Sequence, residues 1–62
     1  MKVIGTQKNN GLEAQVIWLT PSMFSVKFEN KRFYFDNSYN AFLKARELVG
    51  QDLNGYKYKV SK

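Results

Sequence analysis

The chain has 62 residues, a formal net charge of +5, and neither cysteine nor histidine. Disulfides, thiolate chemistry and the usual zinc sites are therefore excluded, and so short a chain must be stabilised by packing. Five Phe, four Tyr and one Trp supply the apolar surface for that packing. We predict one small basic α+β domain over residues 1–62. The longest apolar run, Val16–Leu19, is too short to span a membrane, and nothing near Met1 resembles a signal peptide. We therefore expect a cytoplasmic protein.

Turn signals at Asn9-Asn10-Gly11, Pro21 and Asn54-Gly55 divide the chain into short segments. Within the segments apolar and polar residues alternate, as in Phe24, Val26 and Phe28, which is typical of antiparallel strands covered on one face. The predicted meander has the order β1 (about Lys2–Gln7), β2 (Leu12–Leu19), β3 (Met23–Glu29), β4 (Lys31–Phe35), a helix (Ser38–Val49) and β5 (Tyr56–Val60).

The predicted helix packs on one face of this antiparallel β-meander. Asp36, Asn37 and Ser38 offer N-cap side chains, and Gly50 suits the C-terminal end. Its apolar stripe comprises Ala41, Phe42, Ala45, Leu48 and Val49, with Tyr39 and Leu43 at the flanks. Asn40, Lys44 and Glu47 are expected on the opposite, solvent-facing side.

Catalysis is not expected. Without His or Cys, a pair of carboxylates would have to carry the chemistry, and the five acids are scattered one per element. No glycine-rich phosphate loop follows a strand. We therefore predict a non-enzymatic binding protein without a metal or cofactor.

The face of the sheet away from the helix is the first candidate binding site. It is predicted to carry a basic group with one aromatic side chain, suited to phosphates and to stacking on an unpaired base. The candidate nucleic-acid-binding residues are Lys27, Arg32, Tyr34, Lys57 and Lys59. An alternative is that these charges block edge-to-edge aggregation and keep the domain soluble.

The tip of the β2–β3 hairpin is the second candidate site, because it is more apolar than a solvated turn requires. Its candidate protein-interface residues are Ile17, Trp18, Leu19 and Met23. The alternative is a bulge near Val16–Trp18 that turns Ile17 or Trp18 into the core. Self-association through the same patch, giving a homodimer, is a third possibility.

In size, in Asn, Lys and Tyr usage and in element order, the chain resembles small standalone proteins that bacteriophages encode to bind host enzymes or nucleic acid. The leading hypothesis is a partner that is DNA or RNA, bound with little sequence specificity, or a nucleoprotein complex. The alternative is an acidic protein surface, with the chain acting as an inhibitor or regulator of a larger host complex. No membrane partner is expected.

Overall fold

The computed structural model describes residues 1–59 and contains a four-stranded antiparallel sheet with one helix. The strands follow one another in the order β1-β2-β3-β4, so the predicted α+β meander is confirmed at this level. The elements are β1 (Lys2–Asn9), β2 (Leu12–Thr20), β3 (Met23–Phe28), β4 (Lys31–Phe35) and α1 (Ser38–Leu48).

Three two-residue turns set the pairing of the strands, and the one between β2 and β3 lies at Pro21 and Ser22. Asn10 and Gly11 join β1 to β2 with φ values of 54° and 78°, the left-handed pair that the Asn-Gly sequence predicts. Glu29 and Asn30 join β3 to β4, with Glu29 also left-handed at φ 54°. Because side chains alternate between faces, these turns decide which residues of each strand face the helix.

The core lies between the sheet and α1. Val16 on β2 pairs with Val26 on β3, and both are fully buried against Ala41 and Ala45 of the helix. The same row of the sheet begins at Gly5 on β1 and ends at Phe33 on β4.

The helix begins and ends much as its sequence predicts. The Asn37 side chain accepts a 2.8 Å hydrogen bond from the backbone N–H of Asn40 and caps the N-terminus. At the other end Gly50 adopts φ 81°, and its N–H donates to the Glu47 carbonyl. In the part of the chain that the structure describes, no helix could cross a membrane.

The predicted fifth strand is absent from the described residues. Tyr56–Lys59 pairs with no strand, and Val60 lies outside the described residues. The segment instead runs back along α1, where the Asn40 side chain donates to the Lys59 carbonyl (3.0 Å) and accepts from the Lys59 N–H (2.8 Å). Asn40 thus pairs with the segment as a neighbouring strand would.

The prediction that Asn40 faces solvent is wrong, because the C-terminal segment covers that side of the helix. Asn40, expected in solvent, is 7% exposed, and Leu43 is 4% exposed although it lies outside the main core cluster. Tyr58 donates a 2.5 Å hydrogen bond to Glu47 further along the same side. Burial, reinforced by the hydrogen bond and the charge of Glu47, raises the pKa of the Tyr58 hydroxyl above its ordinary range. The helix is therefore covered on two sides.

Candidate binding surface on the outer face of the sheet

The outer face of the sheet, turned away from α1, is organised in rows that cross the strands. Paired residues share a face, so the strand register assigns each row directly. One row, here called the tyrosine row, is Val3, Ile17, Ser25 and Tyr34. The next, here called the basic row, is Thr6, Gln15, Lys27 and Arg32. Both rows span all four strands.

The basic row places two cations directly opposite each other. Lys27 and Arg32 are cross-strand partners, and like charges in that position destabilise a sheet. Within residues 1–59 neither has an ion pair, since the one salt bridge found there joins Lys44 to Glu47. Glu13 and Glu29 lie near Lys27, where they line a shallow depression of about 230 Å³ with it and Gln15. The positive charge of this face is therefore concentrated toward Arg32 on the edge strand.

The tyrosine row combines an exposed ring with a covered centre. Tyr34 is 60% exposed, whereas Ile17 is 6% exposed and Ser25 is fully buried. The Ser25 hydroxyl has no hydrogen-bond partner among the described residues. The centre of this face is therefore buried, although the alternation alone assigns it to water. Tyr34 stands beside Arg32 on the same strand face, two residues along β4.

Lys57 and Lys59 do not join this surface. Their backbone follows α1, which packs on the other side of the sheet. The Lys59 ammonium lies 4.9 Å from the centre of the Tyr39 ring, and Tyr39 also meets Tyr56 edge to face. Of the five predicted nucleic-acid-binding residues, the structure brings together Lys27, Arg32 and Tyr34 and separates the two C-terminal lysines from them.

The four residues of the predicted hairpin-tip patch also divide between faces. Trp18 pairs with Phe24, which packs on the core, so Trp18 faces the helix side and is 36% exposed. Ile17 faces outward but is covered. The register shifts between Trp18 and Thr20, which leaves Leu19 half-buried at the irregular position and Met23 exposed on the outer side. These residues therefore do not form one apolar surface.

Two members of the tyrosine row, Val3 and Ser25, were not singled out as site residues from the sequence. Val3 is about half exposed beside Ile17, but the register of β1 shifts between Val3 and Gly5, so simple alternation does not place it. The alternation of β3 predicts that Ser25 is an ordinary serine facing solvent. Its burial depends on neighbours from other strands, and no local signal in the sequence marks it.

The carboxylates of residues 1–59 form no cluster that could hold a metal ion. Glu13 and Glu29 line the depression on the outer face together with Gln15 and Lys27. No family model, curated protein or solved structure matches this chain.

Proposed function

We propose that the protein is a non-enzymatic, cytoplasmic binding module that engages nucleic acid through the outer face of its sheet. The proposal is supported chiefly by the cations Lys27 and Arg32, which have no ion pair within residues 1–59 and lie opposite each other beside the exposed ring of Tyr34. An anionic partner would relieve the repulsion between the two cations. Arg32 and Lys27 would contact phosphates, and Tyr34 would stack on an unpaired base.

The expected binding is weakly sequence-specific. Phosphate contacts position a nucleic acid without reading its bases, and the basic row has Gln15 and Thr6 as its remaining polar side chains. A single-stranded ligand suits this surface because Tyr34 offers one open ring face to a base.

The test is fluorescence anisotropy with a labelled single-stranded oligonucleotide over a range of salt concentrations. Each phosphate contact contributes a slope of about −0.7 to the log–log plot of affinity against salt, so Lys27→Ala and Arg32→Ala should each flatten it by about 0.7. Tyr34→Ala should weaken binding by roughly 5- to 150-fold with little change in slope.

Lys57→Ala is the matched control, because it removes the same charge from an exposed position on the helix side. It should leave the salt slope nearly unchanged. Equal effects of Lys57→Ala and Lys27→Ala would show that binding is not confined to the outer face. No binding at low salt would refute the proposal as a whole.

A protein partner is the second candidate, favoured by the exposed apolar side chains around the covered centre of the same face. Val3 and Met23 are 48% and 42% exposed there. An acidic protein would pack apolar side chains against Val3 and Met23 and pair its carboxylates with Arg32. In that case the chain would act as a regulator of a larger complex. Met23→Asp should abolish capture of such a partner from nuclease-treated extract while leaving oligonucleotide binding intact. Capture that disappears with nuclease treatment would favour nucleic acid instead.

A further inference from the structure

β4 is one of the two edge strands of the sheet. Phe28 and Lys31 close the two-residue turn at Glu29 and Asn30, so they form a hydrogen-bonded pair. Hydrogen-bonded and non-hydrogen-bonded pairs then alternate along the ladder. Lys31, Phe33 and Phe35 direct their backbone groups toward β3, while the N–H and C=O groups of Arg32 and Tyr34 point to the free edge. Among the described residues no strand pairs with that edge.

The opposite edge is protected in ways that β4 is not. The register of β1 shifts between Val3 and Gly5, and such an irregularity bends an edge away from potential partners. The Lys8 carbonyl on β1 also accepts a 3.1 Å hydrogen bond from the Gln51 side chain. β4 is short but regular, and contains neither proline nor a bulge.

From this edge we infer that two copies of the chain pair antiparallel through β4. The outward-pointing backbone groups of Arg32 and Tyr34, which have no strand partner within residues 1–59, match those of a second copy when Arg32 faces Tyr34 of that copy and the two Phe33 residues face each other at the two-fold axis. Both pairings are favourable: a guanidinium lies beside an aromatic ring on the outer face, and two aromatic rings meet on the helix side.

The space beside the edge also suits a second copy of this chain. An open groove of about 500 Å³ runs beside the edge, lined by Phe33, Tyr34, Phe35, Lys44, Glu47 and Tyr58. It is large enough for the aromatic side chains that meet at the axis.

The inferred dimer does not depend on nucleic-acid binding, and the two interactions should respond to added salt in opposite directions. Each copy carries a net charge of +5, so the copies repel one another and added salt should strengthen the dimer. Nucleic-acid binding should weaken with salt. The five paired residues form a small interface, so the dimer is expected to be weak.

Cross-linking tests the register directly, because the native chain has no cysteine. Residues in a hydrogen-bonded pair have Cα atoms about 5.5 Å apart, within the range that a disulfide spans. A mixture of Arg32→Cys and Tyr34→Cys chains should therefore form a mixed disulfide dimer under mild oxidation. Each variant alone should cross-link several-fold less, because like positions are displaced by two residues, about 7 Å, along the strands. Equal cross-linking of the mixture and the single variants would overturn the register.

Sedimentation equilibrium of the unmodified chain tests the dimer itself. The mean mass should rise with protein concentration and with salt. Tyr34→Pro removes an N–H that points to the free edge and should raise the dissociation constant about tenfold or more, while Tyr34→Ala retains that N–H and should change it less. A monomer at every concentration and salt, or equal effects of the two substitutions in folded variants, would refute the proposal.

Discussion

Gly5 provides the sharpest test of how the helix is seated on the sheet. The ring of Phe42 packs over this residue so closely that a Cβ atom added at Gly5 would overlap Phe42 Cε1 and lie 2.9 Å from Cζ. Gly5 is not among the residues with positive φ, so its backbone accommodates alanine without strain. The contact with Phe42 therefore decides the sign of the effect of Gly5→Ala.

Two opposing terms set the magnitude. Replacing glycine by alanine where the backbone permits it stabilises a protein by about 0.4–1 kcal/mol, through the entropy of the unfolded chain. Overpacking a core costs about 1–3 kcal/mol. We expect Gly5→Ala to lower the free energy of unfolding by roughly 1–2 kcal/mol, measured by urea denaturation. A domain of this length has about 3–9 kcal/mol in total, so the loss is readily detected.

A double-mutant cycle identifies the cause. In a Phe42→Leu background the ring is absent, and Gly5→Ala should become neutral or slightly stabilising, with a coupling energy of about 1–3 kcal/mol. Gly11→Ala is the control: Gly11 has φ 78° and open space around the position of a Cβ, so its cost comes from the backbone and should persist in the Phe42→Leu background. If Gly5→Ala is as stable as the native chain, the packing argument is wrong.

Two further predictions concern the C-terminal segment. Asn40→Ala removes both hydrogen bonds to Lys59 and should lower the free energy of unfolding by about 1–3 kcal/mol, with faster amide exchange at Lys59; unchanged exchange there would contradict the pairing. The pKa of Tyr58 is raised by folding, so its contribution to stability is present below pH 10 and decreases as the pH rises further. Urea denaturation at increasing pH above 10 should therefore show a smaller loss of stability for Tyr58→Phe than for the native chain, and identical losses would exclude the effect.

Much of the sheet was predictable because local chemistry specifies it. The Asn10-Gly11 dipeptide favours left-handed φ at both residues, which produces a tight hairpin wherever strands flank it. The alternation of Phe24, Val26 and Phe28 places β3 on the core, and β4 has the bounds that its sequence predicts, Lys31–Phe35. These features depend on a few neighbouring residues.

The C-terminal segment was not predictable in the same way. Tyr56, Lys57, Tyr58 and Lys59 alternate as a strand would, yet alternation does not say which hydrogen-bonding partner the segment finds. The amide of Asn40 supplies both a donor and an acceptor, so the segment can satisfy its backbone on the helix instead of the sheet. That arrangement moves Lys57 and Lys59 off the outer face.

For the candidate site, the alternation of apolar and polar residues in the sequence predicted that Lys27, Arg32 and Tyr34 lie on the outer face, and the pairing of β3 with β4 places all three there. The sequence by itself also determined the aromatic content and the charge from which binding is argued. Only the tertiary structure decided that Ile17 is covered and that Trp18 faces the helix side. The physical reason is that burial depends on side chains from several strands and on bulges that shift the register, whereas a turn depends on the backbone preferences of two adjacent residues.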